Sequence, residues 1–299
     1  MNFRLIKTAT KVIALTSVIG MTSCKKDSTS SNSNQSSAVT LSDSSTVADN
    51  SYYDVLNNAF VSFEDNSTVW SSSTVHSGKT TTMSTEGTEG VKTGSLSCAI
   101  YSLDDSIPGE YPKTLTLDFG TGCTSADGVV RSGKIKYVFT DFIFDPAATA
   151  TVTFTNYVVN GYGIQGAYTI TNNSSEQVGI SINTVVTNGI ITYPNTTNYH
   201  YSHNRTYVMT AGSNTPYDIT DDVYNITGTS SFSASDGSNI VWTINTPLVK
   251  AISCPFIKQG VVGFSYNQTI NGTIDFGDGT CDSNATITIG SFQEPITLR

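Results

Sequence analysis

The stretch Thr151-Val152-Thr153-Phe154-Thr155-Asn156-Tyr157-Val158-Val159-Asn160-Gly161 decides the fold. Val152 and Phe154 alternate with three threonines, the two-residue period of a strand with one face inward and the other in solvent. The run closes on Asn160-Gly161, a pair that tolerates the positive φ of a tight hairpin turn. The same texture extends in both directions. Leu115, Leu117 and Phe119 alternate with Thr114, Thr116 and Asp118, and Ile135, Tyr137 and Phe139 alternate with Lys134, Lys136 and Val138. Further runs surround Ile180-Ile182, Tyr199-Tyr201, Tyr207-Met209, Ile240-Trp242-Ile244, Ile274-Phe276 and Ile287-Ile289. Asn188-Gly189, Asp236-Gly237 and Asn271-Gly272 read as further turns. Strands joined by short turns, with no βαβ rhythm, predict an all-β fold: a large, mostly antiparallel meander folded as a sandwich or curved sheet.

Composition agrees. Only 13% of the 299 residues are charged, and the 15 Tyr and 13 Phe suit a pleated, half-buried surface. The formal charge of −9 leaves no basic footprint to neutralise phosphates, so no nucleic-acid partner is expected.

Upstream of the strands the texture changes. Tyr52, Tyr53, Val55, Leu56, Ala59, Phe60 and Phe63 recur at three- and four-residue steps, predicting one short helix that starts near Asp49 or Ser51. The rest of 47–90 reads as loop or weak edge strand, at the start of a β-rich domain over 47–299. Residues 24–46 are rich in Ser and Asn and read as a flexible tether, too polar to offset the entropy of ordering. Residues 1–23 read as a signal peptide: Arg4, Lys7 and Lys11 are basic, and the apolar run Val12 to Met21 is too short to span a bilayer. It ends in Met21-Thr22-Ser23-Cys24, which resembles a bacterial lipoprotein box. The resemblance implies cleavage before Cys24, acylation of that cysteine with palmitate-type chains, and a lipid anchor in the outer membrane, on either its periplasmic or its surface face. Cleavage removes three basic residues and no acidic ones, taking the formal charge from −9 to −12. Two or three acyl chains anchor such a body stably.

Four cysteines remain: Cys98, Cys123, Cys254 and Cys281. An even number in an exported chain reads as two disulfides, with three pairings open. Spacings of 25 and 27 positions favour Cys98–Cys123 and Cys254–Cys281. The flanks agree, since Leu117-Asp118-Phe119-Gly120-Thr121-Gly122-Cys123 matches Ile274-Asp275-Phe276-Gly277-Asp278-Gly279-Thr280-Cys281. This points to a degenerate internal duplication around 96–140 and 252–299, each copy closing a loop worth about 3 kcal/mol on the chain-entropy model. The absence of a CxxC pair argues against zinc. These paired stretches, with Asp127-Gly128 and Arg131-x-Gly133-Lys134-Ile135 following the first, resemble a set of uncharacterised Bacteroidota cell-envelope lipoproteins. The similarity runs from about residue 91 to the C-terminus. It implies an address and no chemistry.

The sequence offers little chemistry of its own. Asp275, Asp278 and Asp282 around two glycines form a weak Ca²⁺ candidate, weighed against a merely solvated acidic turn. His200 and His203 lie three apart in a predicted strand, so they point to opposite faces and share no metal. No Gly-x-Ser-x-Gly turn raises a nucleophile. The adjacent pairs Asp104-Asp105 and Asp221-Asp222 diverge if in a strand and read as solvated if in a loop, so no glycosidase pair is inferred from them. No catalytic residue and no cofactor is assigned, and Trp242, between Ile240 and Ile244, reads as core. Asp27-Ser28-Thr29 and Asp105-Ser106-Ile107 resemble the short Bacteroidota O-glycosylation motif, with Ser28 and Ser106 as acceptors. The expectation is a membrane-anchored envelope lipoprotein with a non-enzymatic binding or structural β domain, whose partner is an envelope protein or a glycan. The alternative is a surface glycan-binding lipoprotein that uses Tyr199 and Tyr201 as an exposed platform, with a hydrolase as a third reading.

Overall fold

A computed structural model describes residues 28–65, 81–83, 96, 98–104, 110–215 and 218–298. Cys24 with the signal-peptide region, and Trp70, His76 and Ser106, lie outside the described residues. The first element is a helix, α1 (Ser28–Asp65), which carries Ser28 in its first position. The strands follow as β1 (Thr81–Met83), β2 (Ile100–Asp104), β3 (Lys113–Asp118), β4 (Cys123–Thr124), β5 (Val130–Phe139), β6 (Thr149–Val159), β7 (Tyr162–Asn172) and β8 (Ser181–Thr192). They continue as β9 (Asn198–Ala211), β10 (Val223–Ala234), β11 (Asn239–Ala251), β12 (Gln259–Tyr266), β13 (Ile270–Asp278), β14 (Asn284–Ile289) and β15 (Phe292–Thr297). All belong to one antiparallel sheet whose spatial order follows the chain, except that the short β4 pairs beside β5. Among the described residues β1 and β15 are its two edges, so the sheet does not close.

One face of this sheet is core. Leu115, Leu117, Ile135, Tyr137, Phe139, Val152, Ile240, Trp242, Ile274 and Ile287 are all at most 2% exposed, as their alternation requires. The partner of that face is the helix. Residues 45–48 and again 58–62 are buried without a break. Four consecutive helical positions cover the whole circumference, so at these two levels α1 is enclosed on every side. The sheet curves around it, and one continuous hydrophobic cluster joins the two.

This corrects the flexible tether. The helix begins at Ser28, well before Asp49, and Ala38, Leu41, Ser42, Ser45 and Thr46 are buried within it. Small polar side chains give this segment the texture of a tether, and the helix satisfies them locally. Ser45 donates to the Ser42 carbonyl, Thr46 to that of Asp43, Ser51 to that of Val47 and Ser62 to that of Asn58. A hydroxyl bonded back to its own helix enters the core with its polarity satisfied.

Curvature comes from bulges. The β5–β6 register shifts between Ser132 and Lys134, and the β6–β7 register shifts between Val152 and Val158. At this irregularity Asn156 takes φ 49°, and the inward parity changes from Val152 to Tyr157 and Val159. Gly133 faces it with φ +76°, where a Cβ would stand 2.2 Å from the Asn156 carbonyl oxygen. Similar shifts recur between β7 and β8, β8 and β9, and β10 and β11. A series of bulges bends a sheet that would otherwise run flat.

Two of the four predicted turns are turns. Asn160-Gly161 joins β6 to β7 with both φ positive, and Asp236-Gly237 joins β10 to β11. Asn188-Gly189 and Asn271-Gly272 instead lie inside β8 and β13. There glycine answers a close approach: a Cβ on Gly189 would meet the Tyr52 hydroxyl of α1 at 2.6 Å, and one on Gly272 the Phe264 ring at 2.3 Å. The β12–β13 turn is made by Asn267-Gln268, both at positive φ.

Cys98 is bonded to Cys123 and Cys254 to Cys281. Each bond clasps a hairpin in the same way. Cys98 precedes β2 and Cys123 follows β3; Cys254 precedes β12 and Cys281 follows β13. The turns also match, since Asp118 accepts from the Gly120 N–H and Asp275 from the Gly277 N–H, with Phe119 and Phe276 buried between.

Candidate functional site

Charges are few in this chain, yet several are enclosed around α1. On one side Asp54 meets β5 and β6. Arg131 donates to both Asp54 oxygens and to Asp127, the latter at 2.8 Å, and the Tyr157 hydroxyl also donates to Asp54. The Arg131 side chain is 0% exposed. On the other side Asp49 meets β9, where it accepts from Arg205 at 2.9 Å and from the Tyr201 hydroxyl. Burial pushes the Asp49 carboxyl above its ordinary range, while Arg205 and Tyr201 pull it down. Since Tyr201 gives its proton to Asp49, His203 Nδ1 must donate to the Tyr201 oxygen, leaving Nε2 to accept from Thr184 at 2.9 Å. Burial holds this imidazole well below its usual pKa. The chain Thr184–His203–Tyr201–Asp49 has the connectivity of a nucleophile, base and orienting groups. Thr184 is 0% exposed, so this end of the network is enclosed in the core.

Between these clusters the sheet leaves space. An inner cavity of about 40 Å³, room for a water or two, touches Asp49, Arg205, Trp242 and Lys250. A cleft of about 740 Å³ lies beside it, within the range of small-molecule sites. One wall of the cleft is α1, with Tyr53, Asp54 and Asn57. A second is the start of β5 and the β6–β7 turn, with Arg131, Asn160 and Tyr162. The third is the end of β11 and the loop after it, with Lys250, Ser253 and Phe256. Twist of about 20–25° per strand pair accumulates along a meander of this length. It brings the late loop opposite the early strands.

Lys250 belongs to both spaces. It is 4% exposed, donates to the Cys254 carbonyl, and stands 4.9 Å from the centre of the Tyr53 ring. Burial pulls its amine down to about 7.

Comparison with protein-family models, curated proteins and solved structures finds no match to this chain.

The residues singled out in the sequence fall elsewhere. Tyr201 is 2% exposed with its hydroxyl bound inside the core, and Tyr199 stacks on Phe232 at 4.7 Å between ring centres. They form no exposed platform, because the inward parity of β9 carries Tyr201, His203, Arg205 and Tyr207 together. His200 is exposed on the opposite face. The weak calcium candidate lies at the end of β13 and in the turn after it. Asp275, Asp278 and Asp282 each accept from the backbone N–H two residues on, and among the described residues no three or more His, Cys, Asp and Glu side chains come together as a metal-ligand group. Asp222, read as solvated, is 5% exposed and accepts from the Tyr224 hydroxyl.

The residues of the cleft and inner cavity are not legible in the sequence because they meet across long separations; Asp54 and Arg131 are 77 positions apart and Asp49 and Arg205 are 156. One signal was present. Arg131, Arg205 and Lys250 occupy the inward parity of their strands, in line with Ile135, Tyr201 and Trp242. A charge on the apolar side of an alternating strand marks a partner or a site.

Proposed function

We propose that this chain is an envelope lipoprotein of the outer membrane, held by acyl groups on Cys24, whose curved sheet is a non-enzymatic binding module. The membrane half of the reading rests on the basic, apolar and Cys24-terminated start of the sequence. The outward positions of the sheet support a body in water: Thr151, Thr153 and Thr155 are exposed on β6, where a barrel facing lipid would carry an apolar band. The binding half is carried by the cleft. Its walls combine half-buried aromatic rings, Tyr53, Tyr162 and Phe256, with amide, hydroxyl and paired charged groups. Flat rings beside convergent polar groups suit a polyhydroxylated ring, so a glycan is the favoured ligand and this cleft, not Tyr199 and Tyr201, is its site.

Two measurements test it. Cys24→Ser is expected to move the protein from the membrane to the soluble fraction. On a glycan array the detergent-solubilised protein is expected to give hits that Tyr162→Ala and Asn57→Ala weaken. Membrane retention of Cys24→Ser would overturn the anchor. An array without hits, with a defined protein crosslinked at the cleft in intact cells, would overturn the glycan in favour of a protein partner.

A further inference from the structure

Lys250 is the one charged group around the cleft and inner cavity that the fold leaves without an opposite charge among the described residues. None of the carboxylates facing these spaces is in an ion pair with Lys250: Asp54 and Asp127 share Arg131, and Asp49 pairs with Arg205 of β9; Asp222, just before β10, accepts instead from the Tyr224 hydroxyl. His203 of β9 is held neutral by burial and faces the inner cavity only. An ammonium has three N–H donors. The Cys254 carbonyl takes one of those on Lys250, and the Tyr53 ring covers the group. Two donors therefore have no acceptor among the described residues, on a side chain 4% exposed at the wall of a ligand-sized cleft. Cys254 is fixed by its bond to Cys281, so the carbonyl that holds the amine of this β11 lysine belongs to a clamped loop.

We propose that the cleft binds an acidic sugar whose carboxylate takes Lys250 as its counter-ion. The inference rests on the glycan reading above and adds the charge. The sugar ring lies against Tyr162 and Phe256, its hydroxyls meet Asn57, Asn160 and Ser253, and the carboxylate reaches the two vacant donors. The ligand also settles the protonation of the amine. Burial alone holds it near 7, and an adjacent carboxylate raises it, so binding at slightly alkaline pH takes up a proton.

The test is calorimetric titration of the full chain in detergent with a panel of uronate oligomers and their neutral counterparts of equal length. The expected result is uronate binding about tenfold tighter than neutral binding, the worth of one charge-assisted hydrogen bond. Titration near pH 7.5 in two buffers of different ionisation enthalpy should show proton uptake with the uronate alone. Lys250→Met and Lys250→Gln should remove both the preference and the uptake. Equal affinity for charged and neutral oligomers would overturn the counter-ion and leave the glycan site standing. Binding of neither class would overturn both.

Discussion

Asp49 sits mid-helix with its carboxylate shared between Arg205 and Tyr201, and the Arg205 side chain it serves is 5% exposed. Removing one member of such a pair leaves a buried charge without compensation, which costs more than the intact pair is worth. Asp49→Ala is therefore expected to lower the unfolding free energy by about 3–5 kcal/mol in urea titration. Adding Arg205→Met should recover much of that loss, since the stranded guanidinium goes with it. Lys250 works in the opposite direction. Its amine titrates near 10.5 in the unfolded chain and at about 7 in the fold. Between those values the unfolded state holds more protons, so stability rises with pH across that window and is lowest below 7. Lys250→Met is expected to stabilise the protein by about 2–4 kcal/mol near pH 6. The gain should shrink as pH rises through the window and approach zero only above about pH 11, where the amine is largely neutral in both states. A lysine that costs stability where it stands is most simply understood through what it binds, and a variant that gains stability while losing a ligand would carry both halves of that account.

At the scale of elements, alternation made the strands legible and the bulges hid what joins them. The period of two identified the inward faces of β3, β5, β11, β13 and β14, all of them core in the fold. It also read Asn188-Gly189 and Asn271-Gly272 as turns, because an Asn-Gly pair looks the same whether the backbone reverses or another chain segment comes close. The two cysteine hairpins were legible because their signal is local spacing, whereas α1 was legible only where aromatic residues mark its inward face. Gly133 gives the bulge account a sharp test. Alanine there must hold φ +76° and clash with the Asn156 carbonyl, so Gly133→Ala is expected to cost about 2–4 kcal/mol, read as a lower melting temperature. If the site were an ordinary strand position, alanine would be neutral or stabilising.

For the whole molecule the decisive fact is that an open sheet must bury one face, and α1 is what covers it. A sheet of this extent with a single inward face has no second sheet to pack on, so its stability depends on the helix it encloses. The polar residues 28–46 are consequently part of the body. Ser33, Asn34, Ser36 and Ser37 are exposed, and enclosure starts at Ala38. Ten helical residues from Ser28 span about 15 Å, so an anchor at Cys24 would hold the body close to the bilayer instead of on a long stalk. Deleting 28–46 separates a tether from a core element. A tether can be shortened with little effect on folding, since it contributes no buried contacts. Here the deletion removes Ala38, Leu41, Ser42, Ser45 and Thr46 from the interior and takes away the Ser44 carbonyl that accepts from Tyr193. The loss of Leu41 alone is worth about 2–4 kcal/mol, and opening the rest of that section to water removes a large part of the stability of a typical domain. The deletion variant is therefore expected to lose cooperative thermal unfolding, while glycine at the exposed Asn34 and Ser36 should leave the melting temperature nearly unchanged. A deletion variant that melts like the full chain would show that the sheet does not need this part of the helix.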